Sequence, residues 1–160
     1  PKTAESSYLA MGIGDELAEL VEAVEAAQND SDVLSEAGDV FWYLLRYASK
    51  VLEINLTDLE ESVLAQVSPC EEGFSSEAIL NLGSILGYEK KKIRDYDTWS
   101  DEKKADKKHK ALSDVYQLCF EVANILFTHG FGVDACLNRN VAKLSGRKEA
   151  GNIRGDGNKR

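Results

Sequence analysis

The spacing of the apolar residues is the tightest constraint on this chain. They recur three and four apart over long stretches, and no segment alternates with a period of two. Leu9, Ile13, Leu17, Leu20, Val21 and Val24 mark one stripe and predict a helix over 3–28. Asn29-Asp30-Ser31-Asp32 interrupts it with cap-forming residues. Val33, Ala37, Val40, Phe41, Leu44, Ala48 and Val51 carry a second helix over 32–53. Thr57-Asp58-Leu59-Glu60 reads as a capping box that opens a short helix ending before Ser68-Pro69. After a linker at 68–76, helices are expected over 77–95, with Ile79, Leu82, Ile85, Leu86 and Ile93 as its apolar positions, and over 111–129. Gly130 and Gly132 end the latter, and Asp134–Leu144 makes the last helix. Both prolines, Pro1 and Pro69, fall outside the strongest periodicity. The expected fold is an all-α bundle of five or six helices in one domain over 1–160.

Charge narrows the partners. Lys+Arg 19 against Asp+Glu 28 leaves a net charge of −9, which lacks the basic face that gripping a nucleic acid polymer requires. Small phosphorylated ligands stay open, because a metal ion can bridge carboxylates to phosphates. The dense charge of EKKADKKHK at 102–110 reads as a solvated helix start or loop. Cys70, Cys119 and Cys136 are odd in number and lack a C-x-x-C spacing, so neither a zinc ribbon nor a disulfide framework fits. Cys119 lies inside LCFEVANILF and reads as a small buried hydrophobe. The longest apolar run, Val40–Leu45, is too short for a bilayer, and the first residues are polar rather than an apolar leader. A cytoplasmic protein away from membranes is the expectation.

A weak internal repeat runs through the chain. Residues 34–66 align without gaps on 112–144, with Leu34-Ser35-Glu36 meeting Leu112-Ser113-Asp114. AMGIGDELAEL at 10–20 falls opposite ILNLGSILGYE at 79–89. Two halves follow, about 3–67 and about 77–147, each helix, helix, short helix, with a basic glycine-rich tail at 148–160.

Glu16-Leu17-Ala18-Glu19 and Glu36-Ala37-Gly38-Asp39 place a carboxylate pair three apart on each of the first two helices. The short connection makes those helices an antiparallel hairpin, so both pairs can meet near its middle. Four carboxylates at close range raise one another's pKa, and a divalent cation removes that penalty. Oxygen-only ligands favour Mg²⁺, with Mn²⁺ the other choice. Spacing alone is equally that of ordinary surface acids, which is how Glu22 and Glu25 read. Gly38 adds weight: glycine inside a helix costs roughly 1 kcal/mol and suits a place where something approaches the backbone closely. His109 and His129 have no partner at metal-ligand spacing, and no histidine follows any of the four acids by three, which disfavours a di-iron carboxylate bundle.

GIGDELAELVEAV followed by LSEAGDVFWYLLRYA resembles the E-x-x-E … E-x-x-D signature of the all-α NTP pyrophosphohydrolases, the MazG-like group that includes dimeric dUTPases and dCTP pyrophosphatases. LNRNVAKLSGRKEAGNIRGDGNKR resembles that group's N-x-x-K-L-x-x-R stretch with its glycine-rich tail. The resemblance implies hydrolysis of a nucleoside triphosphate to the monophosphate and pyrophosphate. It implies Glu16, Glu19, Glu36 and Asp39 as ligands of Mg²⁺, with Glu19 or Glu36 taking the proton of the attacking water. It also implies Asn140, Lys143, Arg147 and Arg160 as phosphate-binding residues. Trp42, one turn past Asp39, either stacks the base or fills the core, and Tyr8 has the same standing. Where the first half keeps its acids, the second has Ile85, Tyr88, Asp114 and Gln117; where the second half has Asn140, Lys143 and Arg147, the first has Ser62, Ala65 and no arginine. The expectation is a fused pseudo-dimer with one complete site, monomeric or a homodimer. The other reading is a non-catalytic helical adaptor on the same scaffold.

Overall fold

Asn29 turns the chain. Its side-chain oxygen accepts the backbone N–H of Asp32 at 3.1 Å, capping α2 (Asp30–Lys50) just after α1 (Lys2–Glu25) has ended. The computed structural model describes residues 2–26, 29–57, 59 and 75–149, and all regular structure among them is helical. Three further helices follow: α3 (Ser76–Asp95), α4 (Asp101–Thr128) and α5 (Val133–Glu149), with one 3-10 turn, Tyr96–Thr98, between α3 and α4. Pro69, Cys70, Ser62, Ala65, Arg160, the rest of the linker and the tail from 150 lie outside the described residues.

α1 packs against α2 and α3 against α4, as two hairpins; α1 also meets α3, and α2 meets both α4 and α5. The central helix is therefore α2, and its sequence suits that place. Val33, Ala37, Val40, Phe41, Leu44, Tyr47 and Ala48 are all buried. Exchanging the two hairpins maps the pairings among α1, α2, α3 and α4 onto themselves. Positions aligned by the repeat share their burial: Ala37 with Val115, Val40 with Leu118, Phe41 with Cys119, Leu44 with Val122, and Ala48 with Leu126. The counterpart of α5 would follow Asn55, where only Leu56, Thr57 and Leu59 are described, all helical.

Several boundaries differ from expectation, each for a local reason. The short helix is capped by Asn55 rather than Thr57: the Asn55 side chain accepts the Thr57 N–H at 3.0 Å and its carbonyl accepts from Leu59 at 3.3 Å. α4 begins ten residues before the expected 111, because Ser100 caps it by accepting the Lys103 N–H at 3.2 Å. The charge-rich stretch is thus its solvated first turns, carrying the pairs Lys108–Glu53 at 2.9 Å and Lys110–Asp114 at 3.1 Å. On α3, Ile79, Leu86 and Ile93 are exposed instead of core-facing. They sit seven apart on one ridge, while Ala78, Ile85, Tyr88 and Glu89 form the narrow buried face.

That buried face includes a carboxylate. Glu89 accepts from Ser6 Oγ and from the Tyr47 hydroxyl, each at 2.7 Å, and Lys92 lies 3.4 Å away. A buried charge costs heavily unless paired and hydrogen-bonded, and this one is both. It ties α1, α2 and α3 together at one end of the bundle. Among the described residues no helix is long and apolar enough to cross a membrane.

Candidate acidic centre

α1 and α2 face one another across the first hairpin. There the carboxylates of Glu16, Glu19 and Glu36 converge, with one oxygen of each within 4.8 Å of the others. Among the described residues this is the one grouping of three acids, cysteines or histidines placed to share a metal ion. Glu16 is buried, Glu36 half-buried and Glu19 exposed, so the cluster grades from the bundle wall to solvent.

Asp39, the fourth acid of the motif, turns towards α5. Asn140 Nδ2 donates to its Oδ1 at 2.7 Å, and the ammonium of Lys143 pairs with its Oδ2. These partners come from 101 and 104 residues away in sequence. Gly38 allows the approach. A Cβ built there would lie 3.1 Å from Asn140 Cβ and 3.4 Å from the carbonyl oxygen of Cys136. What comes close to the backbone at this glycine is helix α5. Cys136 is fully buried in the same seam.

The charges strain against one another. Burial, then Asp39, Glu19 and Glu36, push the Glu16 carboxyl up to about 7. Burial and Asp39 also raise Glu36 above the ordinary carboxylate range. Lys143 works in the opposite direction on both. The donors are all oxygens, the type that suits hard divalent cations.

A cleft of about 660 Å³ opens beside Glu16, lined by Tyr8, Met11, Gly12, Gly14 and Tyr43 among others. Its two phenols share a hydrogen bond at 3.0 Å. Gly12 makes room for the Tyr43 ring: a Cβ there would fall 2.1 Å from Tyr43 Cε1. Trp42 stands edge-on to Tyr43, with ring centroids 4.7 Å apart, and carries the Arg46 guanidinium 4.8 Å over its own ring. It buttresses the cleft wall rather than lining it.

Arg147 lies one turn beyond Lys143 on α5 and is partly buried. Arg160 lies outside the described residues. At the corresponding place in the second half, Ile85 and Tyr88 are buried, Gln117 is exposed, and Asp114 pairs with Lys110. His129 caps α4 and contacts Asp30 at 3.0 Å, far from a ligand role. Sequence reasoning passed over Tyr43 and Gly12. Tyr43 was signalled by its place four residues after Asp39, one turn along the same helix; Gly12 had no local signal, since its neighbour comes from another helix. Against protein-family models, curated proteins and solved structures, the chain returns no match.

Proposed function

We propose that the chain is a Mg²⁺-dependent nucleoside triphosphate pyrophosphohydrolase, as its resemblance to the MazG-like group implies. The observation that carries this reading is the convergence of Glu16, Glu19 and Glu36 beside an Asp39 held by Asn140 and Lys143. Ordinary surface acids have no need of a partner helix that reaches across the bundle to meet one of them. Oxygen-only donors that repel one another fit Mg²⁺ or Mn²⁺, which Glu16, Glu19, Glu36 and Asp39 would hold. When bound, the ion neutralises phosphate charge and makes a water nucleophilic near neutral pH.

The chain's own groups supply the rest. Glu19, open to solvent, or Glu36, with its raised pKa, accepts the proton of a water directed at the α-phosphorus. The new bond joins that oxygen to the α-phosphorus as the bridging bond to the β-phosphate breaks, and pyrophosphate leaves. Lys143 and Arg147, four apart on α5, bind phosphate oxygens, with Asn140 beside them and Arg160 as a further phosphate ligand from the tail. The cleft between Tyr8 and Tyr43 receives the base, and Trp42 supports it from behind. The second half supplies scaffold and the basic helix, in a pseudo-dimer with one complete site, working in the cytoplasm.

A panel of NTPs and dNTPs assayed for pyrophosphate release tests this directly. Release should require Mg²⁺ or Mn²⁺, and Asp39→Ala should abolish it with the helical circular dichroism unchanged. Metal-independent release, no release from any member of the panel, or full activity in Asp39→Ala would contradict the reading.

A further inference from the structure

Asp39 is flanked by like charges, and a cation is already paired with it. The Lys143–Asp39 pair is largely shielded, with side-chain exposures of 25% and 18%. Salt screens a shielded pair much less than a surface pair. The chain thus brings a positive charge from α5 onto the edge of the acidic cluster.

We propose that Lys143 is the resident counter-ion of this site and trades places with the divalent cation. On metal binding its ammonium leaves Asp39 and moves to the incoming phosphate. This rests on the pyrophosphohydrolase reading and adds to it an order of partners. The two residues that hold Asp39 differ in their freedom to let go. Asn140 is short, buried and wedged against Gly38, so it stays with α2. Lysine is a point charge on a flexible four-carbon stem and can swing without moving its helix. The exchange thus moves one side chain and leaves the α2–α5 seam intact.

In the absence of phosphate, Lys143 competes with the metal for Asp39. With phosphate present, each partner of the ion pair gains a new one, so metal and phosphate favour each other's binding. An enzyme built this way holds little metal until substrate arrives.

Calorimetric titration of Mn²⁺ alone, without nucleotide, into the natural chain, Lys143→Met and Lys143→Arg tests the exchange. Methionine keeps the stem and removes the charge, so Lys143→Met should bind Mn²⁺ about tenfold more tightly than the natural chain, given the strength of a partly desolvated charge pair. Lys143→Arg keeps the cation and should stay close to the natural chain. Lys143→Gln, which preserves a hydrogen bond to Asp39, should gain in the same direction by less, and serves if the methionine variant fails to fold. Binding in the natural chain with no gain in Lys143→Met or Lys143→Gln would overturn the exchange and leave the proposed function standing. No Mn²⁺ binding by any of the four chains would overturn both.

Discussion

Glu16 carries most of the strain at the residue scale. Its folded-state pKa, about 7, lies above the ordinary glutamate value near 4.5 because burial and three neighbouring carboxylates oppose its charge. The folded chain therefore binds that proton more tightly than the unfolded chain does. The stabilisation is fully present below about pH 4.5 and is lost as pH rises through 7. In a chelating buffer, the melting temperature of the natural chain should fall between pH 5 and pH 8. Glu16→Gln, which cannot ionise, should flatten that slope; an unchanged slope would contradict the assignment. Gly12 gives a second residue-scale outcome. Its missing Cβ is replaced by the Tyr43 ring, which the Tyr8 hydroxyl and Trp42 hold in place. Gly12→Ala should cost about 1–3 kcal/mol through overpacking, read by urea denaturation, with much of the loss recovered when Tyr43→Ala is added. Both E-x-x-E and E-x-x-D were legible as residue types at helical spacing. The division of acids and cations between the halves led to the expectation that Lys143 points towards these acids; that it pairs with Asp39 itself, with Asn140 alongside, had no local signal, because the contact spans the chain.

Among the elements, the seam between α2 and α5 decides the site. Gly38 sets its width. Alanine there gains roughly 1 kcal/mol of helix propensity, while its Cβ at 3.1 Å from Asn140 Cβ forces α5 outward. The two effects offset, so Gly38→Ala should shift the melting temperature little. The displaced α5 should loosen both contacts to Asp39 and cut turnover about tenfold or more, since small misplacements near the chemistry are costly. A variant with natural turnover would show that the seam does not position Asp39. The helices themselves were mostly legible from their stripes. α2 met expectation because every third or fourth position is apolar and its surroundings are crowded. α3 did not: among the described residues it packs mainly on α1 and α4, through a narrow face that leaves Ile79, Leu86 and Ile93 exposed. The start of α4 was obscured by charge: a helix whose first turns are solvated has no apolar stripe, and only Ser100 marked where it begins.

Among the described residues the long helices form two hairpins and a further helix, with acids on the first hairpin and cations on the further helix. The repeat made that division readable, since each half lacks what the other keeps. What could not be read was the buried Glu89 network, because its partners Ser6, Tyr47 and Lys92 follow no motif. Metal should act on the molecule by mass action. If Mn²⁺ binds only the folded chain, saturating it should raise the melting temperature, and Asp39→Ala should shrink that shift. The place occupied by Ile85, Tyr88, Asp114 and Gln117 should add nothing to it, for Ile85 and Tyr88 fill the space with packed side chains. A crystal grown with Mn²⁺ and inorganic pyrophosphate, measured at the manganese absorption edge, tests the central claim most directly. Anomalous density is expected among Glu16, Glu19, Glu36 and Asp39, with Lys143 turned to the pyrophosphate and no manganese beside Tyr88. Manganese absent from the four acids, or present at the second half's site instead, would contradict it.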